Sequence, residues 1–284
     1  MIIDCQKIAD EIISEAKKKV AMLEKNGIYP KLAIVMVGND DASKIYTRNK
    51  SEACKRAGIE TQEIILDENI SETELIKTIE ELNHDISITG ILVQLPLPKH
   101  INESNVCKTI SPKKDVDVFN PKNFGDFVME NGNLTPCTAY GIINVLEHEQ
   151  IKLSGKHCVI VGRSNIAGKP IASLLLKHDA TVTVCHSKTK DLTSFCKNAD
   201  IIVSATGIPK LIKADMIKSG AVIIDVGINR DENGRLCGDV DFQNVEPLCS
   251  YITPVPRGVG LVTVAALVHN AAETACFGLF GNNN

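Results

Sequence analysis

Apolar residues recur at helical spacing from the start of the chain. Ile8, Ile12, Ile13, Ala16 and Val20 share one face of MIIDCQKIADEIISEAKKKV, which predicts an amphipathic helix. This stretch carries acids early and has no unbroken apolar core, so it reads as neither a secretory leader nor a membrane anchor. The pattern then changes to short apolar runs separated by amphipathic segments. LAIVMVG (32–38), TQEIIL (61–66) and ITGILVQLPLP (88–98) predict three strands, the last ending in prolines that cannot extend a ladder. SKIYTRNK falls in a polar helix after the first strand. SETELIKTIEEL opens with Ser71 and Glu74 at capping-box spacing and continues as an amphipathic helix. An order β-α-β-α-β predicts a parallel sheet with helices packed on it.

The rhythm restarts near Leu153. KHCVIVG, TVTVCH, ADIIVSATG and AVIIDVGIN read as strands, IAGKPIASLLLKH and DLTSFCKN as helices, and KADMIKSG continues the alternation. Closely spaced parallel strands with intervening helices predict a doubly wound, Rossmann-like nucleotide-binding domain. TAYGIINVLEHEQ reads as a helix bridging two lobes, and GLVTVAALVHNAAETACFG (260–278) as a final helix before a frayed NNN tail. The predicted fold class is α/β in two lobes.

Composition narrows the function. A chain of 284 residues accommodates two cores, and 44% hydrophobic with 23% charged residues is a soluble globular balance. The absence of Trp and the low aromatic content suit an aliphatic α/β core. A net charge of -4 without a basic stripe argues against nucleic acid as the main partner. The ten cysteines are dispersed, with no C-x-x-C, and several sit in apolar runs where a thiol acts as a small hydrophobe. Neither a disulfide framework nor a zinc site is expected, and the seven His residues form no ligand pair.

Several stretches could carry chemistry. Tyr46 and Lys50 stand one helical turn apart, within reach of each other; the plain alternative is a packed ring beside a solvated ammonium. VIVGRSNIAGKP (159–170) runs from a strand through Gly162-x-Ser164-x-x-x-Gly168 into a helix, close to the dinucleotide fingerprint though not its standard spacing. After the next strand, where an NAD site usually places an acid, VTVCHSKTK offers His186, Ser187, Lys188 and Lys190, with no acid before Asp191. Hydroxyls and cations there, with Arg163 in the glycine turn, favour the 2′-phosphate of NADP over NAD. Gln94 is an amide in an apolar strand end, Asp115 and Asp117 read by default as solvated turn acids, and TPVPRGVGLVT (253–263) has the Pro and Gly density of a loop fixed against a ligand. Short-chain dehydrogenases also use Y-x-x-x-K, but in them the glycine turn precedes the pair, and here it follows.

Taken together, VGNDDASKIYTRNK, GILVQLPLP, KKDVDVFNPKNFG, PCTAYGI, VIVGRSNIAGKPIASLLL, HSKT, AVIIDVGINR, GDVDF and YITPVPRGVG occur in the order and spacing of one family. The chain resembles the bifunctional methylenetetrahydrofolate dehydrogenase/methenyltetrahydrofolate cyclohydrolase enzymes of one-carbon metabolism, which feeds purine biosynthesis. The resemblance implies a folate-binding catalytic domain (1–139 plus 264–284), a Rossmann-like NADP-binding domain (140–263), a cleft between them, and a cytoplasmic homodimer. It gives Lys50 the central part in the cyclohydrolase step, with Gln94 as its hydrogen-bonding partner. Tyr46 is implied to stack on the folate and Asp117 to hold the pterin, with Gly258 and Gly260 in the loop beside it. Implied cofactor contacts are Gly162, Arg163, Ser164, Ser187 and Ile228, and no metal is implied.

The implied chemistry is oxidation of 5,10-methylenetetrahydrofolate, then hydrolysis to 10-formyltetrahydrofolate. Two alternatives stand beside it: a dehydrogenase with weak or lost cyclohydrolase activity, and a non-catalytic folate or nucleotide binder. The sequence departs from the family at Val118 and Arg257, which replace glycines, and at Ala139, Tyr140 and Leu261. A glycine with positive φ at 257 would leave Arg257 strained.

Overall fold

The structure, a computed structural model, describes residues 1–280. The chain folds as two compact units, one comprising Asp10–Cys137 and the chain from Val264 onward, the other Met1–Ala9 with Thr138–Thr263.

The first unit is built on a three-stranded parallel sheet. Helix α1 (Cys5–Lys25) buries Ile12, Ile13, Ala16, Val20 and Leu23 along one stripe, as its spacing predicts. Strand β1 (Lys31–Val37) is buried from Leu32 to Met36, which suits a central strand covered on both faces. Helix α2 (Asp41–Ala57) starts where the Asp40 side chain accepts from the Ser43 N–H and ends at Gly58, whose φ of 87° lets the cap close. Strand β2 (Glu60–Leu66) precedes helix α3 (Glu72–His84), where Ser71 and Glu74 form the expected capping box. Strand β3 (Gly90–Val93) completes the order β2-β1-β3, all parallel.

The third strand is shorter than the 88–98 run predicts. Its last ladder bond runs from the Gln94 N–H to Val35 O at 2.8 Å; Pro96 and Pro98 then supply no donor, and the chain leaves the sheet. Helices α4 (Glu103–Thr109) and α5 (Pro121–Val128) follow. The latter is capped by Asn120, with Pro121 at its start, where its missing N–H costs nothing.

The second unit begins with α6 (Cys137–His148). It continues through β4 (His157–Val161), α7 (Gly168–Lys177), β5 (Thr181–Cys185), α8 (Leu192–Lys197), β6 (Ile201–Ser204) and β7 (Val222–Asp225). A short antiparallel pair, β8 (Asn229–Arg230) and β9 (Leu236–Cys237), leads through α9 (Phe242–Val245) to β10 (Tyr251–Ile252). The sheet order β10-β7-β6-β4-β5 is parallel throughout. Strand order therefore reverses at β4, making its carboxyl end the switch point where such sheets bind ligands.

KADMIKSG forms only a single 3-10 turn, Ala214–Met216, because it is pinned between the Ile212–Val240 bridge and Gly220, whose φ is 80°. The fifth strand, β10, is two residues long and too short to show as a periodic run.

Residues 1–9, expected with the first lobe, group with the second unit because the backbone there bonds to the end of its sheet. The Ile3 N–H donates to Ile252 O at 2.9 Å, the Ile252 N–H to Met1 O at 3.0 Å, and the Met1 amino group to Ser250 O at 2.6 Å. The final helix, α10 (Val259–Phe280), is apolar on nearly every side and mostly buried, the pattern of a core helix.

Candidate functional site

Within the first unit, helix α2 places Tyr46 and Lys50 on one face, as the four-residue spacing requires. The Lys50 ammonium donates to Gln94 Oε1 at 2.8 Å. Gln94 sits one residue past β3, so the early end of that strand aims its side chain. Its own Nε2 is occupied by Leu95 O at 2.7 Å, which leaves the carbonyl oxygen for the lysine. A neutral amide satisfies the ammonium without holding its charge. Burial therefore lowers the Lys50 pKa below the ordinary lysine value, against opposing pulls led by Asp117, then Cys137 and Cys54. Tyr46 is half-buried, and desolvation raises its phenol pKa.

Asp117 reaches this cluster from the loop after α4. It lies close to the Cys137 thiol, and burial together with that carboxylate keeps the thiol pKa well above its usual range. The loop is braced by Asp115, which is 1% exposed rather than the solvated turn acid the sequence suggests. Its carboxylate accepts from the Asn120 N–H at 2.9 Å, Asn123 Nδ2 at 3.1 Å and the Phe119 N–H at 3.3 Å. Burial lifts its pKa to about 6 despite these bonds. Asp115 also bridges to Ile91 of β3, tying the loop to the sheet. Val118 follows at φ 61° with a fully buried side chain, in a backbone region that glycine occupies freely.

In the second unit the remaining candidates follow carboxyl ends of parallel strands: Gly162, Arg163 and Ser164 after β4, Ser187 after β5, and Ile228 after β7. They therefore share one edge of the sheet, at the reversal of strand order. Gly162 has φ 126°, and a Cβ there would meet Ala205 O at 2.3 Å. A Cβ on Gly168 would lie 2.2 Å from Gly162 O. Only two glycines allow the turn to close so tightly on the start of α7.

At that helix start the N-cap is Ala167, which has no side-chain acceptor, and Ser164 Oγ accepts from the Ala167 N–H at 3.1 Å. A ten-residue helix beginning in such a backbone cradle is chemically suited to the pyrophosphate of a dinucleotide. Past β5, Ser187 and Lys188 are exposed on a turn closed by the His186 N–H on Thr189 Oγ1 at 2.9 Å, and no carboxylate occurs from Cys185 to Lys190.

The segment after β7, which carries Ile228, is held by two buried acids whose pairing the sequence did not reveal. Asp225 accepts from the N–H groups of Gly227, Asp239 and Val240, each at 3.0 Å. Asp239 accepts from Ser204 Oγ at 3.0 Å, Thr206 Oγ1 at 2.9 Å and Asn229 Nδ2 at 2.8 Å. Burial lifts the Asp225 pKa to about 6. Gly227 and Gly238 have no space for a Cβ against these carboxylates, which explains both glycines.

Ile228 itself is 48% exposed, and a Cβ on Gly260 would lie 3.6 Å from its Cδ1. Gly258 is confined by Pro254 O, 1.9 Å from where its Cβ would stand, and its neighbour Arg257 has φ 70°. The structure thus brings Lys50, Gln94 and Asp117 together in one unit. Gly258 and Gly260 lie instead in the unit that carries the glycine turn. Among the described residues no group of three His, Cys, Asp or Glu side chains could hold a metal.

A doubly wound sheet with a glycine turn at its switch point, in one chain with a unit holding a desolvated lysine, defines a nucleotide-dependent α/β enzyme. The chain belongs to the tetrahydrofolate dehydrogenase/cyclohydrolase family: the catalytic-domain model matches residues 3–117 and the NAD(P)-binding-domain model residues 136–277. It is 52% identical over 272 residues to the bifunctional protein FolD of Agathobacter rectalis, covering 96% of this chain and 98% of that one. Among solved structures, the bifunctional FolD of Campylobacter jejuni matches with a TM-score of 0.93 at 45% identity, over 97% of this chain and 98% of the other. FolD of Trypanosoma brucei, solved with NADP and an inhibitor, matches with a TM-score of 0.93 at 37% identity, over 98% of both chains.

Proposed function

We propose that the protein oxidises 5,10-methylenetetrahydrofolate with NADP and hydrolyses the product to 10-formyltetrahydrofolate, with Lys50 as the acid–base group. The observation that carries this reading is the Lys50–Gln94 hydrogen bond, in which a desolvated ammonium is matched by an uncharged partner beside Asp117.

Bound NADP supplies the hydride acceptor for the first half-reaction. The C–H bond of the methylene carbon breaks with both electrons leaving, and the resulting cation is delocalised over N5 and N10. For this half the protein chiefly has to hold and align the substrate. Asp117 offers two acceptor oxygens to the adjacent N–H donors of the pterin edge, and Tyr46 offers a ring face to stack on. Gly162 and Ser164 are assigned to the pyrophosphate side of the cofactor, and Arg163, Ser187 and Lys188 to its 2′-phosphate. Ile228 is assigned to the nicotinamide side.

In the second half, water adds to the amidinium carbon. Lys50, neutral for a larger share of the time than an ordinary lysine, accepts the proton that water loses. The bond from carbon to N5 then breaks, and a proton returned from Lys50 to N5 completes ring opening, with one proton released overall. Gln94 keeps the amine oriented through both transfers.

The absence of a carboxylate after β5 supports NADP over NAD. The reading extends to a cytoplasmic homodimer, which size-exclusion chromatography with light scattering tests. For the activity itself, purified protein is mixed with methylenetetrahydrofolate and each nicotinamide cofactor, and NADPH formation and methenyl-folate decay are followed by absorbance. Absence of NADPH formation would support a non-catalytic binder. NADPH formation with methenyl-folate decay no faster than in buffer would leave a dehydrogenase alone.

A further inference from the structure

We infer that Asn270, on α10, is a positioning residue for Asp117: its carboxamide ties the Asp117 loop and the Cys137 thiol into one arrangement. This rests on the reading of Asp117 as the carboxylate that holds folate.

Asn270 is 1% exposed and lies far along the chain from the loop it serves. Its Nδ2 donates to Val116 O at 2.9 Å and to Thr135 O at 2.9 Å, and stands 3.5 Å from Cys137 Sγ. One amide group thereby joins the residue before Asp117 to the segment that enters α6. The same thiol donates to Val116 O at 3.5 Å, and the Asp117 carboxylate beside it helps to hold its pKa high. With its pKa held high, the thiol stays protonated and serves as a neutral donor.

The loop has little freedom elsewhere. Val116 is fully buried, and its Cγ1 lies 2.7 Å from where a Cβ on Gly90 would stand, so β3 presses on it from one side while Asn270 holds its carbonyl. Asp115 and Val118 are buried on either flank, and Asp117 is the one residue from 115 to 118 that keeps partial exposure. Fixing Val116 and the thiol therefore fixes the direction of the carboxylate between them. An apolar side chain at 270 would leave two buried carbonyls without a donor and release the Asp117 loop from the Thr135–Cys137 segment.

The test separates folate positioning from simple stability. Asn270→Ala and Cys137→Ala are assayed in both half-reactions, at a temperature where circular dichroism shows them folded. The expected result is a rise of about tenfold in KM for methylenetetrahydrofolate, the scale of one lost hydrogen bond, with the KM for NADP unchanged. Cys137→Ser keeps a donor for Val116 O beside Asp117 and should stay within about twofold of the parent. A lowered melting temperature with an unchanged folate KM in folded Asn270→Ala overturns the inference. Should that variant not fold, Cys137→Ala decides on the same criterion. Parent protein that forms no NADPH would instead remove the functional reading on which this rests.

Discussion

Replacing Lys50 with methionine is the sharpest perturbation of the proposed chemistry. Methionine matches lysine in reach and helix propensity but carries no proton, so α2 keeps its packing and loses the acid–base function together with the hydrogen bond to Gln94. A positioned general acid–base group contributes about 10²–10⁴ in rate, or about 3–5 kcal/mol of barrier. That loss should fall on ring opening. Hydride transfer needs no proton from this side chain and should fall far less.

The effect on stability is small by comparison. Gln94 Oε1, 2.8 Å from the ammonium in the parent, loses its donor, at a cost of about 1–3 kcal/mol, while the expense of burying an ammonium disappears. The pH signature follows from the direction of the shift. Parent hydrolysis should rise with pH through the lowered Lys50 pKa, below the ordinary 10.5, because the neutral amine is the base. Between that lowered pKa and 10.5 the unfolded chain binds the extra proton, so Lys50 also makes the parent more stable as pH rises. Both trends should vanish in Lys50→Met. The assay is methenyl-folate decay from pH 6 to 10, corrected for buffer hydrolysis, beside NADPH formation on the same preparations. Parent-like hydrolysis by Lys50→Met, with the same pH dependence, would remove Lys50 from the mechanism.

Arg257→Gly should stabilise the protein by about 1 kcal/mol in urea unfolding, because Arg257 has φ 70° and an exposed side chain; Arg257→Ala, which keeps the Cβ, should not. Asp115 and Asp225, lifted from 3.8 to about 6, take up protons in the folded state before the unfolded chain does. Acidification from pH about 6 towards 4 therefore gains stability from each, up to about 3 kcal/mol, and the urea midpoint of Asp115→Asn should lack its share of that gain. Ser187→Asp, placing a carboxylate in the turn after β5, should raise the KM for NADP about tenfold or more while affecting NAD little, as steady-state kinetics with both cofactors would show.

The elements that could be read from sequence are those whose burial is periodic or continuous. The stripe from Ile8 to Val20, the run from Leu32 to Met36 and the Ser71–Glu74 box each encode their element locally, and each is found. The glycine turn was legible because two close backbone approaches exclude every side chain. Other features were set by partners distant in sequence. The end of β3 depends on where Val35 stops accepting, and β10 on its pairing with β7. Asp115 looked like a turn acid because its donors, Asn120 and Asn123, sit in what local pattern reads as another loop. The bracing of Ile228 by Asp225 and Asp239 likewise spans a hairpin that has no periodic signature. Asn270 lies in an apolar helix, where a polar residue is visible but its three partners, more than a hundred positions away, are not.

Val118 has a consequence for what this chain can become. Its dihedral belongs to glycine, yet its isopropyl group fills space that no solvent reaches. Glycine would relax the backbone and leave a hole, alanine would keep the twist and still leave a gap, and asparagine would tolerate the twist but bring an amide into a dry pocket. Each single step away is penalised on one count while it is rewarded or spared on another. The position next to Asp117 is therefore hemmed in, and its replacement calls for a second, compensating change among the side chains that enclose it.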